Sequence, residues 1–213
     1  MDRLIIRNEN EKDFREVEAL TREAFWNLYI QGCDEHYLVH KMREHPDFIK
    51  YLDFVAVADD RIVGNIMYTK SFILDESGER IETITFGPLC VHPEYQHKGI
   101  GSALINHSKQ VAIENGHRAI LILGHPHNYC RHGFKVSKDY NISDAEGSYP
   151  FGQLALELAD GALDGVRGKF YCSDVYNIDT EAVDEFDKQF EFKRKEYRHS
   201  QYEFQLACRA YVK

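Results

Sequence analysis

Gly87-Pro88-Leu89-Cys90-Val91-His92-Pro93-Glu94-Tyr95-Gln96-His97-Lys98-Gly99-Ile100-Gly101-Ser102-Ala103-Leu104 is the stretch on which the reading of this chain turns. A strand-like run ends at Val91, a His-Pro turn follows, and two glycines flank the first residue of a segment with helical periodicity. Glycine permits close backbone approach and unusual dihedrals, so consecutive N–H groups can converge on one point. The opening amides of a helix lack intrahelical partners and carry about half a positive charge. Together such groups receive a phosphate or pyrophosphate. Lys98 adds a mobile cation and Ser102 a hydroxyl. The spacing is neither G-x-x-x-x-G-K-[ST] nor G-x-G-x-x-G, which argues against a P-loop and a Rossmann dinucleotide site. On spacing alone, a tight turn that merely starts a helix reads equally well.

Working outward, Leu4-Ile5-Ile6 predicts a strand, and Phe14, Val17, Leu20, Ala24, Phe25 and Leu28 predict a helix. A weaker helical segment runs from Asp34 through Met42, before Pro46. Phe54-Val55-Ala56-Val57-Ala58, a turn at Asp59-Asp60, and Ile62 through Tyr68 read as a hairpin. A third strand spans Ile81 through Val91, and the glycine loop then opens a helix that stops at Asn115-Gly116. Ala119-Ile120-Leu121-Ile122-Leu123 is a buried strand, with a short helix near Tyr129. Leu154 through Leu158 and Lys169 through Cys172 are further strand candidates, and Val183, Phe186 and Phe190 sit at helical spacing. The order predicts an α/β (α+β) domain with a mixed sheet.

The composition is that of a globular chain: 213 residues, 43% hydrophobic and 29% charged, so membrane-spanning, collagenous and disordered readings are excluded. A net charge of −9 gives no general pull toward nucleic acid. The start, Met1-Asp2-Arg3-Leu4-Ile5-Ile6-Arg7-Asn8, returns to charge too soon for a signal peptide. Cys33, Cys90, Cys130, Cys172 and Cys208 form no C-x-x-C pair, so the expectation is reduced, mostly buried thiols in a cytoplasmic protein.

Gln96-x-x-Gly99-x-Gly101, after Leu89-Cys90-Val91-His92-Pro93, resembles the acyl-CoA loop of the GCN5-related N-acetyltransferases (GNAT). The element order is similar as well. So is Leu123-Gly124-His125-Pro126-His127-Asn128-Tyr129-Cys130-Arg131-His132-Gly133-Phe134, which has a tyrosine four residues before Gly-Phe. Gly87-Pro88-Leu89, Leu123-Gly124-x-Pro and Leu154-Ala155-Leu156-Glu157-Leu158 most resemble the YhbS-like branch. The resemblance covers residues 3–175 as a GNAT domain and leaves 176–213 as a C-terminal extension packed on it.

This resemblance implies a mostly antiparallel mixed sheet flanked by helices, with the fourth and fifth strands splayed around pantetheine. Backbone groups of Leu89 and Val91 would pair with the pantetheine amides, and Cys90 would lie beside them. An N–H near Cys90 or Val91 would stabilise the oxyanion. The loop Gln96, His97, Lys98, Gly99, Ile100, Gly101 and Ser102 would hold the pyrophosphate, with Asn128 and Tyr129 bordering the cofactor. Tyr129 would be the general acid that protonates departing CoA thiolate.

Acetyl-CoA is the implied cosubstrate, an unidentified amine of a small molecule or protein the acceptor, and a homodimer the ordinary oligomer. The base stays open: residues 86–91 hold no carboxylate, Glu82 and Glu94 flank them, and His92 and His125 are within reach. A non-catalytic acyl-CoA-binding or sensory module is the alternative. Metal binding through His125, His127 and His132, or through His36, His40 and His45, matches no metal-site spacing, and no metal is expected.

Overall fold

The alternating residues on either side of Asp59-Asp60 form the central hairpin of the sheet. The computed structural model describes residues 4–213. Strand β1 (Ile5–Asn8) leads into helices α1 (Phe14–Phe25) and α2 (Glu35–Met42), then strands β2 (Phe54–Ala58), β3 (Arg61–Asp75) and β4 (Arg80–Val91). Helix α3 (Ile100–Glu114), strand β5 (Ala119–Leu123) and the single-turn helix α4 (Pro126–Tyr129) follow. Short strands β6 (Lys135–Val136) and β7 (Ile142–Ser143) precede β8 (Gln153–Glu157) and β9 (Gly168–Tyr171). Helices α5 (Thr180–Asp187) and α6 (His199–Cys208) come last.

Asp59 and Asp60 both take positive φ, 51° and 59°, the backbone of a tight hairpin turn that matches strand twist. The apolar stripe through Leu28 outruns its helix. Helix α1 stops at Phe25 because Asn27 turns left-handed (φ 60°) and its N–H donates to Gly32 O at 2.8 Å. Strand β3 runs past the expected Tyr68 to Asp75, because β4 and then β9 supply partners for the extra residues.

The nine-stranded sheet follows the order β1-β2-β3-β4-β5-β8-β6, with β9 on β3 and β7 on β9. Along the main path every junction is antiparallel except β4–β5, which pairs only at Ile84 and Ile120. Past that point the two strands part. On the other edge of β4, Ile66 opposes Leu89 and Tyr68 opposes Phe86, so Met67 faces both Gly87 and Pro88. This is a bulge, which bends β4 where the cleft begins.

Helix α3 covers one face, setting Ile100 and Leu104 against Ile66, Ile84, Phe86 and Ile120. On the other face α1 packs Val17 and Leu20 on Val55 and Ile62, and α2 packs Val39 and Met42 on Met67 and Val175. Each such fully buried side chain contributes about 1.5–3 kcal/mol. Residues 176–213 fold back over α1 and α2. Asp187 accepts from Arg22 at 2.6 and 3.2 Å, and Trp26 Nε1 donates to Arg194 O. Helix α6, unanticipated from the sequence, shows no apolar stripe, and Tyr202 and Leu206 face solvent. Among the described residues no helix is long and apolar enough to cross a membrane.

Candidate active site

His92 N–H donates to Val63 O at 2.9 Å, so the even positions at the end of β4 turn toward β3. By the two-residue period of a strand, Leu89 and Val91 turn their backbone groups toward the open side, where β5 has diverged. Of the two amides proposed for the oxyanion, Val91 therefore faces the cleft and Cys90 does not. Gln96 Nε2 donates to Val91 O at 3.1 Å and ties the loop to the strand end.

The loop backbone then alternates. His97 (φ 61°) and Gly99 (φ 82°) are left-handed, with Lys98 between them, an arrangement that gathers amides into a concavity. Helix α3 makes its first backbone bond from Ala103 N–H to Gly99 O, leaving the amides of Ile100, Gly101 and Ser102 free of helical partners. Gly99 is needed for its φ, since a Cβ there would meet nothing within 4 Å.

Across the cleft, α4 presents Tyr129. Its ring is wedged between Phe86 and Phe134, with centroids 5.6 and 5.9 Å away, and lies directly on Gly124. Burial, with a smaller effect from Tyr29, pushes its phenol above the usual tyrosine value, so the proton is held at neutral pH. Ser102 Oγ lies 3.4 Å from His132 Nε2, which joins the start of α3 to the turn after α4.

A cavity of about 540 Å³ unites these groups, an ordinary size for a small-ligand site. Leu89, Val91, Gln96, His97, Gly99, Ile100, Gly101, Ser102, Asn128 and Tyr129 all line it. Two expected residues do not. Cys90 points to α1, where Thr21 Oγ1 is 3.6 Å from its sulfur, and burial pushes the thiol up to about 12. Lys98 bends away, donating to Glu94 O at 2.8 Å with its ammonium 4.8 Å from the Tyr95 ring centre.

Tyr29, Tyr95, Ile105, Arg131 and His132 also line the cavity. Arg131 is a cation that the loop pattern did not reveal. Tyr29 comes from the α1–α2 connection, its ring between Phe25 and Phe204 of α6, a meeting that no local pattern signals. A larger cavity, about 710 Å³, opens beyond the Ile84–Ile120 pairing among Tyr51, Lys70, Arg80, Glu82 and His117, and includes none of the loop.

Candidate bases named from the sequence are placed elsewhere. Glu82 and Glu94 are exposed and line none of the cleft. His92 Nδ1 and His125 Nδ1 accept the N–H of Glu94 and His127 (3.3 Å each), so each histidine caps the short turn that its own His-Pro pair begins. His36 contacts Cys33, His40 contacts Glu18 and His45 contacts Asp174, three different directions. His45 Nε2 lies 2.9 Å from an Asp174 carboxylate oxygen while Nδ1 accepts the Asp47 N–H at 3.2 Å, so this ring serves the turn after α2 and not the other two histidines. Contrary to expectation, only Cys33 and Cys90 are buried thiols. Cys130, Cys172 and Cys208 are exposed in turns or at element ends.

A sheet parted at one parallel junction, with an amide-lined helix start at its mouth, is the architecture of the GNAT fold. The family model described as "Acetyltransferase (GNAT) domain" matches residues 51–136. The chain is 30% identical over 169 residues to the uncharacterized N-acetyltransferase YhbS of Escherichia coli K12, covering 78% of this chain and 93% of that one. It therefore belongs to the GNAT N-acetyltransferase family. The crystal structure of Escherichia coli YhbS in complex with CoA superposes with a TM-score of 0.72 at 26% identity, over 83% of this chain and 93% of that one. A GNAT family acetyltransferase from Brucella melitensis, solved with acetyl-CoA, shares the fold at a TM-score of 0.66 and 23% identity, over 83% and 99%.

Proposed function

We propose that the chain transfers an acetyl group from acetyl-CoA to an amine of a small molecule or protein by direct attack. One observation carries this reading: the free amides of the α3 start and the open edge of β4 face the same cleft as Tyr129. These groups suit the two ends of acetyl-CoA. The loop amides, with Arg131 nearby, fit a pyrophosphate. Leu89 and Val91 offer backbone partners for pantetheine amides. CoA in the YhbS crystal and acetyl-CoA in the Brucella enzyme support the choice of cosubstrate.

Acetyl-CoA supplies the activated acyl group, and the protein brings it against the acceptor. Positioning alone is worth up to about 7–11 kcal/mol of barrier. The Val91 N–H faces the place where carbonyl charge develops, and Tyr129 holds the proton that the leaving sulfur requires. Release of CoA thiol, followed with a thiol-reactive dye across a panel of amines, tests the reading. The expected result is amine-dependent release, reduced about 100-fold in Tyr129→Phe. Saturable CoA binding without turnover for any amine would overturn catalysis and leave a binding module.

A further inference from the structure

We propose that the cavity of about 710 Å³ on the β3–β4 ladder is a second ligand site, built for a small phosphate ester with a planar ring, the size of a nucleoside monophosphate. This site is separate from the acetyl-CoA cleft and does not depend on the acetyl-transfer reading. Strands β3 and β4 form its floor. Lys70 opposes Ile84, Phe72 opposes Glu82 and Leu74 opposes Arg80, so by the two-residue period of strands Lys70, Phe72, Arg80, Glu82 and Ile84 share one face. Ile84 belongs to the core that α3 covers, which makes this the α3 face of the sheet. Helix α3 ends at Glu114, and beyond it His117 walls the floor together with Tyr51, whose hydroxyl lies 2.6 Å from His117 Nε2. The loop amides sit at the other end of the 15-residue α3, about 22 Å away along its axis.

The cavity carries three cations, Lys50, Lys70 and Arg80, against two carboxylates, Asp47 and Glu82, in a chain whose net charge is −9. Among the described residues none of the three cations forms an ion pair, although Glu82 shares the face of two of them. Unpaired cations gathered in a concavity raise the local potential and draw in an anion. A phosphate suits them, because its oxygens can accept from a lysine and an arginine at once.

The rest of the cavity suits a ring. Arg80 lies over Phe72, 3.7 Å from the ring centre, and Phe72 stacks on Tyr171 at 5.1 Å and 12°. This aromatic base holds the guanidinium in place and leaves its N–H donors for an anion. Across the floor the rings of Tyr51 and His117 lie within 18° of parallel, and Phe48, Ile49 and Ile84 add apolar surface. A bare phosphate would leave most of this volume empty, whereas pockets of about 300–1,000 Å³ enclose molecules of nucleotide size. A ring-bearing phosphate uses both parts, its anion at Lys70 and Arg80 and its ring against Tyr51 and the apolar residues.

Calorimetry on the whole protein, with CoA present in excess, tests this with AMP, GMP, CMP and UMP as probes and with adenosine and inorganic phosphate for comparison. At least one nucleotide is expected to bind saturably, about tenfold or more tighter than adenosine or phosphate alone. Lys70 and Arg80 are exposed, and replacing both by Gln should weaken that nucleotide about tenfold or more while CoA affinity is kept. Cys172 is an exposed thiol on the cavity wall, so the nucleotide should slow its alkylation several-fold and leave that of Cys208 unchanged. Binding of none of the four nucleotides, binding that excess CoA abolishes, binding that survives the double substitution, or a Cys172 that stays unprotected overturns the proposal. Should the double variant not fold, protection of Cys172 in the wild type decides. Failure of CoA itself to bind overturns the acetyl-transfer reading and leaves this site to be judged by the same nucleotide titrations.

Discussion

Replacing Gly124 by alanine tests whether Tyr129 acts from the position it occupies. An alanine Cβ would overlap Tyr129 Cε2 and stand 3.0 Å from Cδ2 and 3.3 Å from Cζ. Carbon atoms rest at about 3.5–4.0 Å, so the ring must withdraw by roughly 1 Å. It cannot do so freely, with Phe86 and Phe134 on its other sides and Gly124 N–H held by Gly152 O at 2.8 Å. The backbone itself takes no strain, because Gly124 is not among the residues with positive φ. Overpacking of this kind costs about 1–3 kcal/mol, which lowers Tm by roughly 2–4 °C per kcal/mol in a chain of this size. The catalytic cost is larger in proportion. A misplacement of about 1 Å costs on the order of 100-fold in rate, comparable to the low end of losing a general acid. Calorimetric CoA affinity should stay within about threefold of wild type while turnover falls about 100-fold. Because both changes remove the same function, Gly124→Ala with Tyr129→Phe should be little worse than either alone. Near-wild-type turnover in Gly124→Ala, or losses that multiply in the double variant, would refute a positioned Tyr129.

Gly99→Ala should lower stability by about 1–2 kcal/mol through its left-handed φ of 82° and weaken CoA binding. Gly101→Ala, whose Cβ would stand an ordinary 3.8 Å from Val91 Cγ2, should leave Tm nearly unchanged, and thermal melts with CoA titrations distinguish the two. Burial lowers the pKa of His36 from 6.5 to about 4, partly offset by Asp187, so the folded protein keeps it neutral while the unfolded chain protonates first. Stability should therefore fall as pH drops from about 6.5 toward about 4, by up to about 3 kcal/mol, and urea midpoints that this residue's replacement by Gln does not flatten would contradict it.

The cofactor side of the molecule was readable because it depends on local chemistry. Residues 96–102 sit at a strand end and a helix start, and their amides converge through dihedrals that Gly99 supplies within the motif itself. Strands β2 to β5 were legible for a similar reason, since apolar runs and turn residues alternate at short range. Side-chain direction was less so. Cys90 and Lys98 belong to the motif but turn out of the cleft, Cys90 because strand period sends it to α1 and Lys98 because Glu94 O lies one turn back. Tyr29 was missed because nothing adjacent in sequence marks it. Tyr29 packs its ring against Phe204 of α6, far along the chain, a contact no local pattern announces. Helix α6 had no stripe to read, as it attaches largely through Gln201, whose Nε2 donates to Asn27 O, Ile30 O and Glu196 O.

That division has a consequence for specificity. The GNAT family match spans residues 51–136, which hold the loop, the open edge of β4 and Tyr129. Tyr29 and Phe204 lie outside it, as does Tyr176, whose hydroxyl donates to Gly87 O at 3.2 Å, at the bulge. On the acetyl-transfer reading, the groups that would meet acetyl-CoA come mostly from one continuous segment, whereas Tyr29, which lines the same cleft, comes from the α1–α2 connection and rests on Phe204 of α6. Substitutions in the α1–α2 connection or the C-terminal helices would, on that reading, reshape this wall of the cleft without touching an amide of the loop. On that reading, acceptor choice would depend on tertiary contacts such as those by which Gln201 and Phe204 hold the α1–α2 connection.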